Sequence, residues 1–127
     1  RENIERLNRK IENNIEKALE SHEWEQAEYL SRKLLDFHSF HKSARFYLVI
    51  SLFEQRRFTE SLDENTKLVK NFPDFTQGYL QYANVLETLH NYTKARYIYL
   101  KLLKMPLTTE FKSMVTDRLN RIKSQNN

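Results

Sequence analysis

The stretch "NYTKARYIYLKLLKMP", residues 91–106, crowds tyrosines and leucines around one small side chain, Ala95, and stops at Pro106. Two earlier stretches follow the same scheme. "EWEQAEYLSRKLL" (23–35) and "RFTESLDENTKLV" (57–69) align with "NYTKARYIYLKLL" (91–103) at a spacing of 34 residues. Trp24, Phe58 and Tyr92 lead the three segments, and three residues later comes a small side chain, Ala27, Ser61 or Ala95. Leu34, Leu68 and Leu102 then occupy one column, with Leu35, Val69 and Leu103 beside them. A fixed period of this length marks a supersecondary unit used three times.

Working upstream in the same register, Ile15, Val49 and Ala83 form a further column, and Ala18, Leu52 and Leu86 another. Their apolar neighbours lie three or four residues away, the helical period, so each unit holds two amphipathic helices. The pattern predicts helices over 2–20, 24–37, 42–55, 58–71, 76–89 and 92–104. It also explains Ala95: antiparallel helices approach to about 8–10 Å only where the contact side chains are small.

Composition agrees. The 127 residues contain one Gly, two Pro and no Cys, which leaves little for β-turns and removes disulfides, thiolate metal sites and thiol catalysis together. The most apolar run, "FYLVISLF" (46–53), is far short of the roughly 20 residues needed to span a bilayer. The domain is expected to be soluble and to make no membrane contact. Opening on Arg1, the sequence reads as a piece of a longer chain, and it names no compartment; cytoplasmic and bacterial cell-envelope settings suit it equally. The net charge of +4 is uneven, with 8 Lys or Arg against 3 Asp or Glu in residues 76–127.

These columns resemble the tetratricopeptide repeat family, whose unit is a 34-residue helical hairpin with aromatic, small and proline landmarks in these places. "NFPDF" supplies the end-of-unit proline at Pro73. The resemblance implies an all-α, right-handed α-α superhelix of about seven helices in one domain spanning 1–127. Its repeats would cover about 8–41, 42–75 and 76–109, with a capping helix at about 109–124. Where the family usually has Gly inside each hairpin turn, this chain has His22, Arg56 and His90, which must then take the left-handed conformation at some cost.

The capping helix is legible in "TTEFKSMVTDRLNRIK", with Thr108 or Thr109 as N-cap and Phe111, Met114, Val115, Leu119 and Ile122 on one stripe. A terminal element with a polar outer face is what closes a solenoid. At the other end, Ile4, Leu7 and Ile11 extend the first helix before the repeat begins. That stripe fits either a long helix packed on its own hairpin or the start of a coiled coil upstream.

Chemistry-bearing residues are sparse. His38 and His41 in "DFHSFH" are close enough to share a metal, with Asp36 nearby, but no third strong ligand is in reach, and turn histidines are the simpler reading. No catalytic residue, metal or cofactor is assigned, and the chain is not expected to be an enzyme. The resemblance implies instead a groove lined by the first helix of each unit, with Phe46, Tyr47, Ile50, Phe53, Leu80, Asn84 and Glu87 facing a protein partner or another domain of the same protein. Relatives that hold chaperone C-termini use cationic and amide side chains at groove positions that here carry Glu12, Glu16, Tyr47, Gln77 and Gln81, so a carboxylate would be repelled. Two alternatives stand beside the partner groove. One is self-association through the same apolar residues. The other is nucleic-acid binding at a basic patch of Lys101, Lys104, Arg118 and Arg121, supported by the similarity of "KARYIY" to half-a-TPR repeats and opposed by the better use of Tyr97 and Tyr99 as inter-helix packing.

Overall fold

A computed structural model describes residues 2–125, the side chain of Glu2 excepted. Its seven helices are α1 (Glu2–Glu20), α2 (Trp24–Phe37), α3 (Lys42–Glu54), α4 (Phe58–Asn71), α5 (Thr76–Thr88), α6 (Tyr92–Leu103) and α7 (Thr109–Ile122). The bounds of α1–α6 fall within one residue of those read from the sequence, and α7 ends two residues before the expected end of the cap. The chain divides into two compact units, Arg1–Asn71 with α1–α4 and Phe72–Asn127 with α5–α7.

In the first unit the core is Ile15 and Ala18 of α1, Ala27, Leu34 and Leu35 of α2, and Ala44, Leu48 and Leu52 of α3. Ile11, Leu19, Leu30 and Tyr47 pack around it. Ala27 and Ser61, from the small-residue column, are completely buried. The close crossing of α3 and α4 lets the Ser61 hydroxyl donate to the Val49 carbonyl at 2.9 Å, which satisfies it inside the core. Ser31, one turn beyond Ala27, is as deeply buried, but its hydroxyl has no hydrogen-bond partner among the described residues. α1 is one continuous helix whose first half is uncovered, Ile4 being 63% and Leu7 51% exposed.

In the second unit Tyr79, Tyr82, Ala83, Val85 and Leu86 of α5 are buried, together with Ala95, Ile98, Tyr99 and Leu102 of α6. α7 adds Val115 and Ile122, while Phe111, Met114 and Leu119 are half-buried. Thr108 is the N-cap, its hydroxyl accepting from Phe111 N at 3.1 Å.

The three hairpin turns are built alike. His22, Arg56 and His90 have φ of 59°, 64° and 62°. At each, the next residue's N–H reaches back five positions: Glu23 to Ala18 at 2.8 Å, Arg57 to Leu52 at 3.0 Å and Asn91 to Leu86 at 2.8 Å. This is the Schellman arrangement, normally completed by Gly; a side chain there costs roughly 1–2 kcal/mol. Two of the turns regain something through their rings. His22 stacks on Trp24 with centroids 5.0 Å apart, and His90 meets Tyr92 edge-on at 5.7 Å with its Nδ1 2.8 Å from the phenol oxygen.

Candidate partner-binding surfaces

Helix periodicity places Phe46, Tyr47, Ile50 and Phe53 on successive turns of α3, and all four are half-buried. Phe46 and Tyr47 have ring centroids 6.2 Å apart, and Phe53 packs on Phe58 of α4 at 5.2 Å. Carboxylates of α1 border this face. The Tyr47 hydroxyl donates to Glu16 at 2.5 Å, and Glu12 lies 3.6 Å from Nε2 of His41. Burial first, and Glu16 second, push the Tyr47 phenol well above its ordinary range, so it stays a proton donor. The α3 face is a half-covered strip beside acidic groups, because Tyr47 packs against the core and Phe53 against Phe58.

His41 has a structural task. Its Nδ1 accepts from Ala44 N at 3.1 Å and caps α3, while its ring meets His38 edge-on at 5.5 Å. Among the described residues no group of three or more His, Cys, Asp or Glu is placed to hold a metal ion.

On the other side of the first unit, Glu28 of α2 is a hub. It accepts from Gln55 at 3.0 Å, Arg57 at 2.6 Å and Arg32 at 3.0 Å, and Arg57 forks onto Glu60 at 2.8 and 2.9 Å. Burial opposes the charge on Glu28, yet the three donors outweigh it and hold the carboxyl below its ordinary value.

In the second unit Leu80, Asn84 and Glu87 are half-buried on α5. Glu87 is engaged within the unit: it accepts from the Tyr99 hydroxyl of α6 and from Arg121 of α7, the latter at 2.9 Å. Burial, and then Glu87, raise the Tyr99 phenol far above its usual range. Of the four residues of the expected basic patch, Arg118 and Arg121 both reach the Tyr99–Glu87 pair, while Lys101 and Lys104 have other surroundings. Arg121 is paired with Glu87, Arg118 reaches Tyr99, Lys101 sits over the Tyr79 ring at 5.4 Å, and Lys104 is exposed at the end of α6.

One surface escaped the sequence reading. A cleft of about 530 Å³ between α6 and α7 is lined by Arg96, Tyr97, Leu100, Leu119, Asn120 and Lys123, among others. Tyr97 is 62% and Leu100 50% exposed, so the expectation that both tyrosines pack between helices holds for Tyr99 and fails for Tyr97. The signal was present. At about 100° per residue, positions 97 and 100 lie opposite the face carrying Ala95, Ile98, Tyr99 and Leu102.

No protein-family model matches the sequence, and neither does any curated protein. Solved structures do. The TPR2B domain of yeast Sti1, in a complex with a pHsp70 peptide, is similar over 94% of this chain and 98% of its own, with a TM-score of 0.85 at 11% identity. The Yersinia enterocolitica type III secretion chaperone SycD, with a peptide of the translocator YopD, covers 91% of each chain with a TM-score of 0.84 at 11% identity. The first TPR of Spaghetti (RPAP3), bound to the HSP90 peptide SRMEEVD, is similar over 91% of this chain and 90% of its own, with a TM-score of 0.81 at 15% identity.

Proposed function

We propose that this chain, an all-α TPR-like repeat protein by its fold, is a non-enzymatic interaction module that holds a helix or extended segment of a partner within a larger assembly. The partner is another protein or another domain of the same one. The repeat bounds, about 8–41, 42–75 and 76–109 with α7 as cap, belong to the same proposal. Similar structures carry peptides, and among the described residues no helix is long and apolar enough to cross a membrane.

The observation that carries the reading is the α3 strip of the first unit, aromatic and aliphatic side chains half-open to solvent beside Glu12 and Glu16. Aromatic anchors of this kind supply most of the binding energy at interfaces. In the second unit Leu80 and Asn84 would take the corresponding role on α5. Phe53 is held by Phe58, so the test uses Phe46→Glu with Ile50→Glu. Affinity capture from the native source, read by mass spectrometry, should lose one recurrent protein with this variant while its circular dichroism matches wild type. Identical captures from two equally folded proteins would defeat the proposal. Because Glu12, Glu16 and Tyr47 offer acceptors or neutral groups, the peptide SRMEEVD should show no saturable binding tighter than about 1 mM. Tight binding would mean that the acidic border does not set specificity.

A further inference from the structure

The two units contain the same helix pair 68 residues apart: α2 and α3 correspond to α6 and α7. In the first unit the outer side of the pair is bridged to the start of α4 by side chains. Arg57, just before α4, bonds Glu28 of α2 at 2.6 Å and Glu60 of α4 at 2.8 Å, and Gln55 joins them at 3.0 Å. Glu60 lies within electrostatic reach of Arg32. In the second unit the matching cleft is open, and its chemistry is inverted. The position of Glu28 is taken by Arg96, that of Arg32 by Leu100, and that of Gln55 by Lys123.

Arg96 is held in place. Its Nη1 donates to the carbonyls of Ile122 at 3.1 Å and Gln125 at 2.6 Å, and its Nη2 to Thr93 Oγ1 at 3.3 Å. Of the five guanidinium donors, these contacts leave two for a carboxylate. Below it, Tyr97, Leu100 and Leu119 form an apolar floor in one concave surface, and Lys123 adds a second cation at the rim. The unit around it is basic, with 8 Lys or Arg against 4 Asp or Glu in residues 72–127.

We infer that the α6–α7 cleft is the seat of an amphipathic helix from a partner protein, its N-terminal end tied to Arg96 as the start of α4 is tied to Glu28 of α2 through Arg57. The charge inversion sets its chemistry. An acidic residue stands just before the helix, as Arg57 stands before α4, and an apolar residue stands three positions on, in the first turn, where α4 has Glu60. The acid meets Arg96, the apolar side chain meets Leu100 and Tyr97, and an acid at the helix N-terminus also suits the helix dipole. This surface is separate from the α3 strip, and the inference does not depend on it.

The probe is a fluorescein-labelled peptide of residues 56–71 carrying Arg57→Glu and Glu60→Leu, kept helical by an i, i+4 lactam on its outer face. Helicity is checked by circular dichroism, and the peptide is titrated with the whole 127-residue chain by fluorescence anisotropy. Saturable binding is expected, at least tenfold tighter than for the unsubstituted peptide. It should fall at least tenfold in Leu100→Glu, a half-exposed position whose variant is first matched to wild type by circular dichroism, and should weaken in Lys123→Glu. Absence of saturable binding, equal binding of the two peptides, or full binding by Leu100→Glu would each overturn the inference. A concentration-dependent dimer in sedimentation that Leu100→Glu abolishes would also overturn it, by placing a second copy in the cleft.

Discussion

Each unit has a carboxylate that gathers several partners, and the two do it differently. Glu28 in the first gathers arginines that are themselves largely in water; the Arg57 side chain is 36% exposed and that of Arg32 45%. Glu87 in the second takes a hydrogen bond from Tyr99, a wholly buried ring, and adds Arg121 at the surface. Donors already in water gain little from an ion pair, whereas the proton of a buried hydroxyl has few other acceptors. The similar burial of the two carboxylates therefore conceals unequal importance.

Glu87→Ala gives the largest contrast. It leaves the proton of the Tyr99 hydroxyl without its acceptor, although Arg118 still reaches the oxygen, and should cost about 2 kcal/mol, against about 1 kcal/mol or less for Glu28→Ala. Urea unfolding of both variants checks this, and equal losses would break the comparison. Ala95→Leu comes next. It overpacks the small-residue column and should cost about 2 kcal/mol, seen as a lower melting midpoint; an unchanged midpoint would refute the crossing role of that column.

Ser31 sharpens the contrast in the opposite direction. It stands 68 residues before Tyr99, and its hydroxyl is buried without a partner. Ser31→Ala should stabilise the protein by about 1 kcal/mol in the same denaturation, because it removes an unmet polar group at little change in volume. A loss of stability would mean that the hydroxyl is satisfied in solution.

The smallest effect is set by pH. His41 caps α3 through Nδ1, whereas Phe75, the N-cap of α5, makes no side-chain cap bond. Burial, partly countered by Glu12 and reinforced by His38, holds the His41 imidazole below its ordinary value of 6.5. The unfolded chain therefore takes up the proton first, so the stabilisation is present above about pH 6.5 and is lost as the pH falls. Hydrogen exchange of the α3 amides should quicken from pH 7 to pH 5, after correction for the intrinsic rate, more than that of the α5 amides. His41→Asn should remove the difference. An equal response in α3 and α5 would show that His41 is not the sensor.

What the sequence by itself determined is local. Helix bounds follow from apolar periodicity, the left-handed turns from His22, Arg56 and His90 standing where a hairpin needs Gly, and the α7 start, to within a residue, from Thr108 and Thr109, all settled by neighbours within about one or two turns. The small column at Ala27, Ser61 and Ala95 was equally legible, because the 34-residue period fixes its register. What only the tertiary structure decided is which side chains meet across helices. Tyr99 is buried while Tyr97 is exposed, Glu87 is committed to partners 12 and 34 residues away, and Arg96 turns to the end of α7 26 residues on. Those pairings depend on how close two helices come and how they are rotated, and a one-residue change of facing exchanges a core contact for a surface one.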